Sequence, residues 1–294
     1  MSEKRDAKKG LIGMAGIYLT AGLGLPLVNV LGDFTPDQLM AARGALTALL
    51  VFCLIKGQIF KQLGLPVLWL SVGFTLVSIG LFRGIRAWGN NPTMMIMTAA
   101  PLVNIAVAWL RGKDLAWATV MSFFATVAGI TLALQPWQGT TFNLTGLSWS
   151  VLAMLANAIF FEVVSVSSNT PALQRSFWQS LVLLGAGLAL SRSDSWAAAA
   201  DPKILLALIG FALIIGFFNF LANFTAFDNL RPDTSSVLVN GVTPATMLVS
   251  YFLLNETLTA VQFLGMVMAL AGAAYLGYWV SQQQPIDKET TNAT

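Results

Sequence analysis

Apolar runs of about 20 residues recur along the whole chain. Short clusters of glycine, proline, asparagine and charge separate them. A helix rising about 1.5 Å per residue needs such a run to cross a hydrocarbon core of about 30 Å. The punctuation predicts ten helices, at 10–29, 35–55, 66–87, 92–110, 115–135, 145–166, 175–191, 202–226, 234–253 and 260–280. Pro36, Pro66, Pro92 and Pro202 stand at or near starts, where a missing N–H costs nothing. The first run follows Lys4, Arg5, Lys8 and Lys9, is too long for a signal-peptide core, and reads as a retained span. The expected fold is an all-α polytopic membrane protein with a polar, disordered tail over 281–294.

Composition narrows the chemistry. The 294 residues are 56% hydrophobic and 10% charged, against about 25% charged in soluble domains. Histidine is absent and Cys53 is the one cysteine. No disulfide framework, zinc site or Cys/His nucleophile follows from that inventory, so neither metal nor cofactor is expected. Cys53, within VFCLI, reads as a small apolar residue. A net charge of +3 without a basic stripe argues against nucleic acid as a partner. The expected partners are a small solute and the bilayer, with the chain a monomer or homodimer.

Lysine and arginine also orient the spans. Of sixteen, eleven fall in segments on the side of the N-terminus, Arg175 among them, four fall on the other, and Arg43 lies within a span. That bias supports both termini in the cytoplasm. Trp137, Trp149 and Trp196 lie near span ends and suit the interfacial belt.

The two halves resemble each other. PLVNIAVAWLRGKDL at 101–115 aligns with PATMLVSYFLLNETL at 244–258 after a shift of 143 residues. The shift pairs Pro101 with Pro244, Trp109 with Phe252, Lys113 with Glu256, Leu115 with Leu258 and Gly129 with Gly272. The domains expected are two five-helix repeats, 10–135 and 145–280, with a linker at 136–144 and cytoplasmic ends at 1–9 and 281–294. Five is odd, so the second repeat enters from the opposite side, and inverted repeats suit alternating access. Pro101 and Pro244 are expected to kink their helices and act as hinges.

Asn255, Glu256 and Thr257, followed by Leu258, Gln262, Gly265 and Gly272, resemble the C-terminal hairpin of EamA-type carriers in the drug/metabolite transporter superfamily. In the first half the pattern departs: Gly112, Lys113 and Asp114 form the turn, and Thr119 and Ser122 take the glutamine and glycine places. Arg43, seven residues after Pro36, resembles an arginine often found in the family's second span. The resemblance implies helices around a central cavity, the fifth and tenth peripheral, and transport, more often export, of a small metabolite. It names no substrate.

Charges at bilayer depth are costly unless they meet water or a partner, which makes each a candidate. Arg43 offers a fork for a carboxylate or phosphate, or a structural pairing. Arg83 and Arg86 share a helix face beside Gly80 and Gly84. They suit either snorkelling or an electropositive vestibule rimmed by Trp88. Glu162, with Ser165 and Asn169 on its stripe, is expected to line the cavity, taking an ammonium or carrying the coupling proton; a salt bridge is the other reading. Asn219 and Asn223 share a face and suit either a solute or a helix contact, with Asp228 near the inner end. Asn104 and Asn240 stand near the two prolines and could satisfy freed backbone groups. Trp88, Met94, Met95, Met97, Phe177 and Trp178 suggest a soft wall or lipid-facing packing.

These features predict a secondary transporter of a small polar or amphipathic metabolite, an amino acid or derivative favoured, moving outward. Another metabolite class (a nucleotide derivative, amine or drug) and a non-transporting scaffold or regulatory subunit stay open. An enzyme is disfavoured, since no two in-span acids lie within one turn of each other.

Overall fold

The structure, a computed structural model, describes residues 6–55, 64–137, 142–191, 196, 201–253 and 257–282. Lys4, Arg5, Lys56, Lys61, Arg192, Asn255, Glu256, Lys288 and the predicted disorder of the tail lie outside these residues. So does the side chain of Ser165.

Every regular element among the described residues is a helix, with no strand, and the helices group as ten rods in chain order. They are α1 (Ala7–Val30), α2 (Pro36–Ile55), α3 (Leu65–Trp88), α4 (Asn90–Met97 and Ala100–Leu110), α5 (Trp117–Leu134) and α6 (Leu144–Val166). The rest are α7 (Ala172–Leu190), α8 (Pro202–Phe211, Ala212–Phe218 and Asn219–Asn229), α9 (Pro232–Val239 and Val242–Leu253) and α10 (Ala260–Ser281). Seven of these rods, α2 to α6, α8 and α10, are apolar and long enough to cross a membrane. α7 is diluted by Gln174, Arg175, Ser176, Gln179 and Ser180, and α9 is divided by a break.

Helix ends follow local chemistry. α4 closes on Gly112 at φ 66°, with the Lys113 amide reaching back to the Ala108 carbonyl at 3.0 Å. That left-handed turn is one that glycine adopts without strain. α10 opens on a reciprocal cap, in which Thr259 Oγ1 accepts from the Gln262 amide and Gln262 Oε1 accepts from Thr259 N.

The packing has a pattern. α2 lies along α7, α5 along α10, α3 along α6 and α1 along α8, while α4 meets α9. Small residues allow the tightest approaches. A Cβ on Gly44 would stand 2.6 Å from the Leu184 nitrogen, and one on Gly187 would stand 2.5 Å from the Ala41 nitrogen. Gly129 meets Ala269 and Gly265 on α10, and Gly272 meets Thr126 on α5. Such contacts between backbones replace the hydrophobic drive that lipid does not provide.

Two rods are interrupted by a tight turn. α4 is interrupted at Thr98 and Ala99, just before Pro101, and α9 at Asn240 and Gly241, just before Pro244. Each proline sits in the first turn of the segment that follows, where its missing N–H would have no partner anyway. Thr98, Ala99 and Asn240 keep right-handed helical dihedrals, so each rod continues through a tight turn of i−3 bonds, the kind of interruption expected beside a proline.

Candidate functional site

The two breaks meet. Asn240 Nδ2 donates to the Thr98 carbonyl at 2.9 Å, so a side chain from one break satisfies a backbone group freed by the other. Tyr18 on α1 donates its hydroxyl to the Leu238 carbonyl, beside the same break. Asn104, also buried, has its amide nitrogen unpaired. Pro101 and Pro244 are both buried in this layer.

A second layer is built on α2, α3, α7 and α8. Arg43 is 8% exposed and lies against two rings, Phe74 at 5.2 Å and Phe220 at 4.7 Å. Its Nε is buried without a hydrogen-bond partner, and no carboxylate pairs with it among the described residues. Beside it α8 is π-helical over Ala212–Phe218. Thr47 Oγ1 donates to the Ala212 carbonyl at 3.3 Å, and a Cβ on Gly216 would stand 1.9 Å from that oxygen. Such π segments inside α-helices are frequent at functional sites. From α7 come buried Ser176, Gln179 and Ser180, and neither amide atom of Gln179 has a partner. Asn219 and Asn223 form a chain to α1 instead: Asn223 Nδ2 donates to Asn219 Oδ1 at 2.7 Å, and Asn219 Nδ2 to Thr20 Oγ1 at 2.8 Å.

A cavity of about 340 Å³ opens at the end opposite the N-terminus, lined by Pro36, Asp37, Phe82, Arg83, Arg86 and Trp149 among others. Arg83 and Arg86 thus share one cavity, and the ring under Arg83 is Trp149, at 5.2 Å. Trp88 packs edge-on against Phe142 instead, so it is not the rim platform anticipated. Asp37 is six residues before Arg43, about 9 Å along one helix at 1.5 Å per residue.

The end bearing the N-terminus is tied by ion pairs. Arg111, ending α4, meets Glu162 of α6 at 2.8 Å. Arg231 pairs with Asp233 at 3.1 Å and donates to the Asp114 carbonyl at 3.3 Å. Arg175, 1% exposed, grips both carboxylate oxygens of Asp228 and lies 4.3 Å from the Phe224 ring. Two corrections follow. Glu162 is joined to an arginine at a helix end, which is the salt-bridge reading and not that of a carboxylate waiting in the cavity. Arg175, counted among loop charges, is a buried residue of α7. The soft wall also divides: Met94 and Met95 pack near Ile130 and Leu134, while Phe177 and Trp178 pack near Val51 and Phe217.

Comparison with known proteins adds the family. The EamA-like transporter family matches residues 144–278. That match covers the second half of the chain, a little under half of its length. No curated protein matches it. A solved crystal structure whose description names no activity shares the fold, at a TM-score of 0.80 and 12% identity over 95% of this chain and 100% of that one. The match, with seven helices long and apolar enough to cross a membrane, supports a multi-pass membrane protein similar to small-molecule transporters.

The EamA positions quoted from the sequence now have physical reasons. Gln262 closes the α10 cap, and Gly265 lets α10 touch the α5 backbone. Tyr18, Gln179, Phe74, Phe220 and the π segment were not singled out from the sequence. Tyr18 carried a signal, as a lone tyrosine in an apolar span whose hydroxyl needs an acceptor. Gln179 and Arg175, together in QRSFWQS, carried another.

Proposed function

We propose that this protein is a secondary active transporter that moves a small amphipathic metabolite across a bacterial inner membrane by alternating access. All ten rods then span the bilayer, as two inverted five-helix repeats with both termini cytoplasmic. The pairing of helices supports this. Adding five to each helix number turns the α1–α8 contact into the α6–α3 contact and leaves α2–α7, α4–α9 and α5–α10 as pairs. Gly44 and Gly187, and likewise Gly129 and Gly272, are related by the same shift of 143 residues that aligns Pro101 with Pro244.

The observation that carries the reading is Arg43: an interior arginine with aromatic neighbours, no acid paired to it among the described residues, and a π segment beside it. A cation so placed serves a solute better than it serves stability. Closure by ion pairs at the cytoplasmic end and a cavity at the other describe an outward-facing form. An amino-acid derivative remains the favoured solute and export the favoured direction. Counterflow of candidate metabolites in proteoliposomes tests the reading. Exchange lost in Arg43→Ala supports it, and no exchange with any metabolite class leaves a scaffold role in its place.

A further inference from the structure

α8 presents Gly216, Phe220, Phe224 and Asp228 at successive turns on one face. Two arginines from the paired helices α2 and α7 lie along that face. Arg43 rests 4.7 Å from the Phe220 ring and Arg175 rests 4.3 Å from the Phe224 ring. Both are removed from solvent. They differ in one respect: Arg175 holds a carboxylate, Asp228, through both terminal nitrogens, and Arg43 holds none among the described residues. A guanidinium keeps its charge wherever it is placed, so a cation left unanswered in the interior is costly until an anion arrives.

We infer that the transported solute is an organic carboxylate with an apolar or flat body, and that its carboxylate takes on Arg43 the place Asp228 holds on Arg175. The inference rests on the carrier reading above and names its substrate class. Phe74 and Phe220 supply apolar walls for the body. The unpaired amide of Gln179, on the helix packed against α2, offers one further polar group. The acids nearest the interior are committed, with Glu162 on Arg111, Asp228 on Arg175 and Asp233 on Arg231. Asp37 stands at the outer mouth. A free ammonium on the solute would therefore meet no carboxylate beside Arg43 among the described residues. An amino-acid derivative with a masked amine fits better than the free zwitterion. One guanidinium also matches a monoanion better than a phosphate dianion.

The test uses the full chain in nanodiscs and three probes of one shape: benzoate, benzamide and benzylammonium. Benzoate is expected to saturate one site per protein and raise the melting temperature, while the other two do neither. Arg43→Gln removes the benzoate site, and Arg43→Lys weakens it by about tenfold, since the planar fork is lost. Asp228→Asn frees Arg175 and raises the benzoate stoichiometry from one to two; adding Arg175→Gln returns it to one. No benzoate binding, an equal response to benzamide, or benzoate binding intact in Arg43→Gln overturns the inference. A single site in folded Asp228→Asn does so too; if that variant fails to fold, the probe series and the Arg43 variants decide. Counterflow in proteoliposomes separates the two readings. Arg43-dependent benzoate binding without counterflow of any solute ends the carrier reading and keeps the anion site. Counterflow of benzylammonium that ignores Arg43→Gln ends the carboxylate inference and keeps the carrier.

Discussion

Asn240 in the second half of the chain donates to the Thr98 carbonyl in the first at 2.9 Å, so the break in α9 repairs the break in α4. Both breaks stand just before a proline, and this contact joins them. Asn240→Ala removes the donor and leaves a buried carbonyl short of a partner. A stability loss of about 1–2 kcal/mol is expected. Thermal unfolding in detergent measures it, and an unchanged melting temperature would mean that another group satisfies Thr98. Counterflow should fall as well, because the two halves lose their shared register.

Much of this fold was legible because a membrane imposes a single rule: apolar for about 20 residues, then a turn. Each predicted span agrees with a described rod to within about three residues, and the shift of 143 already paired the helices that carry the breaks. The site was less legible because the meaning of a polar residue depends on what faces it. Glu162 and Arg175 show this from opposite directions. One reads as buried yet pairs at a helix end, and the other reads as a loop charge yet is almost wholly buried. Arg43 was visible as an anomaly, but its rings come from α3 and α8, and periodicity within α2 says nothing of them.

Gly129 and Gly265 are in backbone contact across α5 and α10, with an imagined Cβ on either standing 2.4 to 2.6 Å from the facing chain. No side-chain tip can yield there, because the obstructing atoms are backbone. Gly265→Leu or Gly129→Leu should therefore separate the two rods and cost about 1–3 kcal/mol. Thr119, Ser122 and Thr126 lie buried on α5 with unpaired hydroxyl oxygens, and their substitution by alanine is expected to be far milder. Melting temperatures of the two sets, compared in one detergent, check the contrast.

Arg175 and Asp228 form the most buried ion pair among the described residues. Removing one partner leaves the other charge unanswered, and Arg175→Met or Asp228→Leu alone should each cost about 3–5 kcal/mol. The double replacement removes both charges and should recover most of that loss. A double-mutant cycle by chemical denaturation reads the difference. Equal damage in the single and double variants would show that packing against Phe224, and not charge, is what the pair contributes.

Arg111 and Glu162 join α4 of the first half to α6 of the second at the end bearing the N-terminus. Arg111 is half exposed, so the pair adds little to stability, about 0–1 kcal/mol. Its effect should fall on opening instead: Arg111→Gln is expected to favour the inward-facing form with little change in melting temperature. Cysteine pairs across that end, reporting by crosslinking yield, measure the shift. Glu162→Gln separates two roles. If it only loosens the closed end, flux driven by a pH gradient persists; if Glu162 carries the coupling proton, that flux disappears while counterflow continues.

Arg83, Arg86 and Trp149 line the cavity at the end opposite the N-terminus, and the Arg83 guanidinium sits 5.2 Å from the indole ring. A charged mouth concentrates ions of opposite sign before they reach the interior, an effect on encounter that salt screens over about 10 Å. Arg83→Gln combined with Arg86→Gln should thus raise the apparent KM for an anionic solute offered from outside by about tenfold at low salt. The maximal rate should stay near that of the unsubstituted protein. Raising ionic strength should narrow the gap between the two proteins. Flux measured at two salt concentrations from each face of the proteoliposome decides the matter: a gap independent of salt, or equal from both faces, would place these arginines in structure and not in capture.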